Sequence, residues 1–250
     1  MEYFFVCISG LVIGSFLNVC IYRIPREESI AFPPSHCTNC NHKLEVLDLI
    51  PIFSYLFLRG RCGYCKEKIS LRYPIIEVLN ASLYLLIYSE FGLTLMTLRY
   101  CVLVSILIVI GMIDYDTQFV FENTTIFGAA MGVIFIIFQE LAYKNGIMDF
   151  IIGGMAGFAC IGIIVFITKG MGAGDIEIAT VCGLFLGAKG ILLGLFLAII
   201  IGGIVAVIIL ALKFKKAKEK IAFGPFIAIG SLMSMLWGVQ ILRVYYELLI

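Results

Sequence analysis

"LMTLRYCVLVSILIVIGMI", residues 95–113, holds a single charge, Arg99, and runs straight into the carboxylates of "DYD" at 114–116. A helix rises about 1.5 Å per residue, so a stretch of this length spans close to the roughly 30 Å hydrocarbon core of a bilayer. Its neighbours repeat the pattern. Further apolar runs lie at about 3–22, 74–90, 124–142, 149–168, 176–188, 190–212 and 222–243. Over all 250 residues the chain is 62% hydrophobic and 14% charged, with a mean hydropathy of +1.07. Soluble domains carry about 25% charged residues, so this composition predicts a membrane protein. The expected fold is all-α and polytopic, with about eight transmembrane helices and a small cytoplasmic lobe. The sixth run is short, because Gly187 and Lys189 leave only a tight turn before the seventh.

The first run lacks a basic leading region and has Arg23 and Arg26 behind it, so it reads as a retained anchor and not as a cleaved signal. Placing the loops alternately on two sides puts 14 Lys and Arg residues on one side and 4, namely Arg99, Lys144, Lys189 and Arg243, on the other. Basic residues near helix ends stay in the cytoplasm, so the long loop after the first helix is expected there and both chain ends outside. The net charge of +1 hides this asymmetry and gives no sign of a nucleic-acid partner; none is expected. The run "KFKKAKEK" at 213–220 reads as an anchor at the lipid headgroups, in preference to a docking patch for a partner.

Three domains follow: a first transmembrane helix at 1–22, a lobe at 23–73, and a helical bundle at 74–250. The lobe carries "CTNC" at 37–40 and "CGYC" at 62–65, with 21 residues between them. Two such pairs can wrap one tetrahedral Zn²⁺ through Cys37, Cys40, Cys62 and Cys65. Two disulfides or a redox pair are the competing readings, and a reducing compartment favours zinc. A lobe of about 50 residues buries little core, so the metal is expected to hold its fold, and four thiolates leave no open position for catalysis. His36 and His42 flank the first pair and are assigned to the surface. The remaining cysteines fall inside apolar runs and read as small core residues.

Ionisable side chains within spans default to a functional role. Glu77 stands in the second run, Asp114 and Asp116 end the third, and Asp175 starts the sixth behind "GMGAG". The third run enters and the sixth leaves, so Asp114 and Asp175 reach the same cytoplasmic depth. Two carboxylates that meet cannot both ionise easily; one takes a proton from water while the other offers one to a carbonyl, as in an aspartic protease. No "HExxH" or "GxSxG" supports another hydrolytic mechanism. A lone Asp at a helix start also serves as an N-cap, and the pairing with Asp114 is what favours catalysis at Asp175. Asp116 is read as a polar neighbour. The alternative class is a silent scaffold or an ion or proton transporter with a partner-binding zinc lobe.

In order along the chain, "GSFLNVCIYRIP" (14–25), "CTNC", "RGRCGYC" (59–65), "ISLRYPIIE" (69–77), "IDYD" (113–116), "GMGAGD" (170–175) and "FGPFIAIG" (223–230) resemble the bacterial type IV prepilin leader peptidases, the GxGD-type aspartic proteases of membranes. The resemblance runs from near residue 10 to about 230. It implies that Asp114 and Asp175 are the catalytic pair, and that the substrates are type IV prepilins or pseudopilins whose short basic leader is cut at the cytoplasmic face of the bacterial inner membrane. Relatives with a complete zinc lobe also methylate the new N-terminus with S-adenosylmethionine. Asn18, Gly60, Arg72 and Glu77, in the lobe and its junctions, are the positions expected to serve the methyl donor or the substrate. Two departures stand out: Phe121 where the family has proline, and Glu177 where it has lysine. Glu177 puts a third carboxylate near the pair unless it faces elsewhere.

Overall fold

The computed structural model describes residues 1–143, 147–168, 171–212 and 222–249. The basic run at 213–220, Lys169 and Gly170 lie outside the described residues. Among the described residues the chain forms eight α-helices and no strand: α1 (Glu2–Arg23), α2 (Phe53–Phe57), α3 (Arg72–Phe91), α4 (Leu95–Thr117), α5 (Glu122–Tyr143), α6 (Ile147–Thr168), α7 (Gly174–Ala211) and α8 (Gly224–Leu249). Helices are the expected solution, since in hydrocarbon every backbone N–H and C=O must find its partner inside the segment.

Six stretches are long and apolar enough to cross a membrane: Glu2–Arg26, which continues α1, together with α4, α5, α6, α7 and α8. The protein is therefore a multi-pass membrane protein. The eight apolar runs map onto these six stretches and α3. The runs at 176–188 and 190–212 both fall in α7, and the run at 74–90 is α3, whose Glu77, Asn80 and Glu90 keep it outside the set.

The chain divides into two compact units, Met1–Val109 and Ile110–Ile250, with the boundary inside α4. In the first unit α1 and α3 pack antiparallel. A Cβ on Gly10 would come 2.6 Å from the Ala81 Cα, and one on Gly14 2.7 Å from the Glu77 Cα. Small residues let helix backbones approach, and buried amides then join them. Asn80 Nδ2 donates to the Gly10 carbonyl at 2.8 Å, and Asn18 Nδ2 to the Tyr73 carbonyl at 3.1 Å. Asn80 also accepts the Ser105 hydroxyl of α4 at 3.1 Å.

In the second unit α7 is not straight. Gly187 has φ 75° and ψ 176°, a conformation that costs a residue with a Cβ. On one side of it, Ile178 lies 3.0 Å from a Cβ built on Gly224; on the other, Phe226 lies 3.4 Å from one built on Gly202. A continuous helix would separate residues 178 and 202 by roughly 36 Å, yet both sit beside the start of α8. The chain therefore reverses at Gly187, and α7 is a helical hairpin, as the tight turn through Lys189 anticipates. Asp149 of α6 closes the reversal: its Oδ1 accepts the Ala188 N–H at 3.4 Å, and its Oδ2 fills the space that a Gly187 side chain would need. Along α6, Gly153 and Gly157 lie directly against the backbones of Gly183 and Ala179.

Candidate functional site

α4 carries Asp114 in its last turns. The helix ends where Gln118 adopts φ 56° and returns its N–H to the Asp114 carbonyl at 2.8 Å. Asp114 is 5% exposed, whereas Asp116, about 200° further round the helix, is exposed. Asp175 is the second residue of α7 and 6% exposed. Ala173, not Asp175, is the N-cap of α7, and no side chain caps it. The Asp175 Oδ2 turns back to accept the Gly172 N–H at 3.2 Å, so the cap reading does not describe it.

Two glycines make room for this arrangement. The Gly224 N–H donates to the Asp114 Oδ2 at 3.0 Å, and a Cβ there would sit 2.6 Å from that oxygen and 3.0 Å from Ile178, one turn beyond Asp175. A Cβ on Gly174 would strike Val120, whose Cγ2 lies 2.6 Å away. The "GPF" start of α8 and the loop between α4 and α5 thus press on the two carboxylates from either side. The end of α4 and the first turns of α7 therefore meet at Gly224. Two buried carboxylates at one helix-lined end can share a proton and hold a water for attack on a peptide carbonyl. Glu177 faces away: its Oε2 is 2.5 Å from the Thr125 hydroxyl of α5, so the third carboxylate is engaged across the helix interface. Gly224 was not singled out in the sequence, although "FGPFIAIG" carried the signal as one of the ordered motifs.

In the first unit the four cysteines converge, with all sulfurs within 4.8 Å of one another. Tetrahedral Zn–S bonds of about 2.3 Å put sulfurs about 3.8 Å apart, and Cys37 Sγ lies 3.8 Å from Cys65 Sγ. Each pair sits in the same turn. The Cys37 N–H donates to the His42 carbonyl and the Cys62 N–H to the Glu67 carbonyl; Asn41 and Lys66, at φ 55° and 62°, return their N–H groups to Cys37 and Cys62. Bridges between His36 and Lys43 and between Arg61 and Lys68 close the two turns. The lobe thus contains the same knuckle twice. Backbone N–H donation from Glu67 lowers the Cys65 thiol to about 7, and that from Cys40 lowers the Cys37 thiol. Cys40 goes the other way, up to about 11: the His42 N–H lowers it, but desolvation and the sulfurs of Cys37, Cys65 and Cys62 outweigh that. Crowded thiols ionise in sequence, and a divalent cation is what makes all four thiolates compatible. The cluster fits a metal such as zinc; His36 and His42 are not part of it.

The remaining predicted positions gather where the lobe meets α1 and α3. Asn18 is buried between the Gly14 and Tyr73 carbonyls. Glu77, 7% exposed, accepts the Ile52 N–H at 2.8 Å. Gly60, at φ 66°, backs the Tyr55 ring, whose hydroxyl oxygen is 2.7 Å from where a Cβ would stand. Arg72 opens α3, its N–H donating to the Ser70 hydroxyl at 3.2 Å.

A membrane bundle with paired buried carboxylates and a tetrathiolate lobe defines a class of membrane enzyme, and the chain's relatives give that class its family. Residues 8–91 match the family model of the Bacterial Peptidase A24 N-terminal domain, and residues 101–207 that of the Type IV leader peptidase family. The chain is 32% identical to the Prepilin leader peptidase/N-methyltransferase of Bacillus subtilis, over 96% of each chain. Proteins of the same description from Pseudomonas putida (30% identical, over 96% of this chain and 92% of the relative) and Neisseria gonorrhoeae (31%, over 88% and 85%) are similar to it. No solved structure matches it. The chain belongs to the type IV leader peptidase family.

Proposed function

We propose that this protein is an aspartic endopeptidase that removes the leader from type IV prepilins or pseudopilins, and that it then methylates the new N-terminus. The observation that carries the peptidase reading is the burial of Asp114 and Asp175, from separate helices, around the start of α8. In this reading one carboxylate takes a proton from the attacking water and later passes it to the leaving amine, while the other protonates the scissile carbonyl and regains that proton as the tetrahedral intermediate collapses. The Gly224 N–H fixes the orientation of Asp114, and the Gly172 N–H that of Asp175. A peptide bond inside a helix is shielded, so the substrate unwinds locally at the cut; the loop at 171–173 that leads into α7 leaves room for an extended segment.

The distribution of Lys and Arg supports a cytoplasmic position for the lobe and for the carboxylate pair, in the inner membrane of a bacterium. Cys37, Cys40, Cys62 and Cys65 would hold a structural Zn²⁺, organising the 23–73 lobe. The relatives' description as N-methyltransferases supports the second reaction, for which S-adenosylmethionine would supply an electrophilic methyl group. The region of Asn18, Gly60, Arg72 and Glu77 would serve it. Mass spectrometry of a prepilin incubated with the purified, zinc-loaded protein tests both reactions. The expected product lacks its leader without the methyl donor, and with the donor carries one added methyl on its new N-terminus. A prepilin of unchanged mass under both conditions contradicts the reading.

A further inference from the structure

The lobe carries an apolar surface that a metal cluster does not explain. "VLDLIPIFSYLFL", residues 46–58, holds a single charge, Asp48. Within it Val46, Leu47, Phe53, Leu56 and Phe57 are 57–83% exposed. Exposed apolar side chains on a soluble surface are ordinarily scattered singly, and a run of this density marks a face that something covers. The acidic side chains beside it are turned inward. Asp48 Oδ2 accepts the Glu45 N–H at 3.1 Å, and the Glu45 side chain accepts the Asp48 N–H, a capping box over the 3₁₀ turn Val46–Leu49.

The fold holds this run at membrane depth. The lobe leaves α1 at Arg23 and enters α3 at Arg72, and α1 belongs to a stretch that crosses the membrane. Midway along the run, the Ile52 N–H donates to Glu77 Oε2 at 2.8 Å. The Glu77 backbone packs against Gly14 of α1, and Gly14 stands about 13 Å along the helix from Arg23. The contact therefore draws the run alongside the helix pair, past the basic ends of α1 and α3. It is a rigid attachment. Ile52 has φ 62° and ψ −51°, and Phe53 donates its N–H to the Pro51 carbonyl at 2.6 Å, a γ-turn of the strained hand on a β-branched residue. Such a turn persists where its surroundings fix it, and Glu77 supplies that.

We propose that residues 46–57 are an interfacial anchor, whose apolar face lies in the boundary between headgroups and acyl chains of the same bilayer that α1 crosses. Lipid is the occupant because the run adjoins a surface that already faces it: on α3, Ile75, Val78 and Leu79, beside Glu77, are 42–59% exposed. The edges fit as well. Lys43, Arg59 and Arg61 bracket the run and are exposed, and long basic side chains at the rim of an apolar segment reach lipid phosphates. The anchor holds the four-cysteine cluster against the membrane surface.

Tryptophan fluorescence of the full-length, zinc-loaded protein, one copy per nanodisc of phosphatidylethanolamine and phosphatidylglycerol, tests this. Trp237 is the chain's single tryptophan, so Leu47→Trp and Phe57→Trp are each placed in a Trp237→Phe background. Both substituted side chains are exposed and carry no packing, and zinc content and melting temperature confirm that each variant is folded. An interfacial segment sits about 5–10 Å into the boundary, so lipids brominated near the headgroup end of their acyl chains are expected to quench both tryptophans about twofold or more, and aqueous acrylamide only weakly. Free quenching by acrylamide with none by the brominated lipid overturns the anchor. Protection from acrylamide that arises only when a prepilin is added gives the face to a protein and overturns it too.

Discussion

The four-cysteine cluster of the first unit and the carboxylate pair of the second are both built from chemistry-bearing residues brought together from two places, but by different means. Each half of the thiolate cluster is made locally: Cys37 and Cys62 are fixed by hydrogen bonds to residues no more than five positions away. The carboxylates have such a frame only in part: Asp175 accepts the Gly172 N–H three residues back, but the meeting of the two depends on distant contacts. Asp114 is set by the amide of Gly224, and the approach to Asp175 by the contact between Gly174 and Val120. A site made of local turns needs only a metal to close it, whereas a site made by helix packing depends on every small residue that lets helices meet.

The comparison breaks most visibly at the metal. Replacing Cys37 and Cys62 together by Ser is expected to remove the bound zinc entirely, because structural zinc binding contributes on the order of 10 kcal/mol, comparable to the stability of a whole domain. Elemental analysis reads the metal, and limited proteolysis within residues 23–73 reads the lobe; an undiminished metal content refutes the site. The second unit should be more sensitive to a single methyl group. Gly224→Ala drives a Cβ against Asp114, and displacements of this size cost catalysis roughly 100-fold. Prepilin cleavage kinetics measure it, with zinc content unchanged.

Acidification separates the two regions in another way. Protons compete with the metal for every sulfur of the cluster. Zinc is expected to pass to a competing chelator more readily as the pH falls, because each thiolate released is captured by a proton; metal affinity independent of pH would contradict the assignment. The smallest effect belongs to the contact between α5 and α7. Thr125→Val removes the hydroxyl that reaches Glu177, which should destabilise the protein by about 1–3 kcal/mol. A lowered melting temperature with cleavage rates close to wild type is the expected result, and a collapse of cleavage would show that Glu177 is not isolated from the pair.

This same contrast explains what was legible in the sequence. Apolar length gave the spans, and the "CxxC" spacing gave the cluster, because both are local properties of the chain. Asp114 and Asp175 came into view together only through an argument about depth and direction; Asp175 alone read as a cap, a place that the structure gives to Ala173. What stayed hidden depends on contacts between distant residues: Asp149 closing the reversal at Gly187, Asn80 joining Gly10 to Ser105, and the turn at Ile52 meeting Glu77. At the Phe121 departure, too, the contacts could not be read from the sequence. Without a proline, the loop is fixed by the left-handed Gln118, by Val120 against Gly174, and by the Thr124 hydroxyl donating to the Phe121 carbonyl at 2.6 Å.

The central claim is that Asp114 and Asp175 act as one catalytic unit. Its most direct test is the rate of leader removal from a prepilin by purified Asp114→Asn and Asp175→Asn, each checked for wild-type zinc content and melting temperature. The account predicts that either substitution alone leaves the prepilin uncut. Cleavage at the wild-type rate by either variant would contradict it.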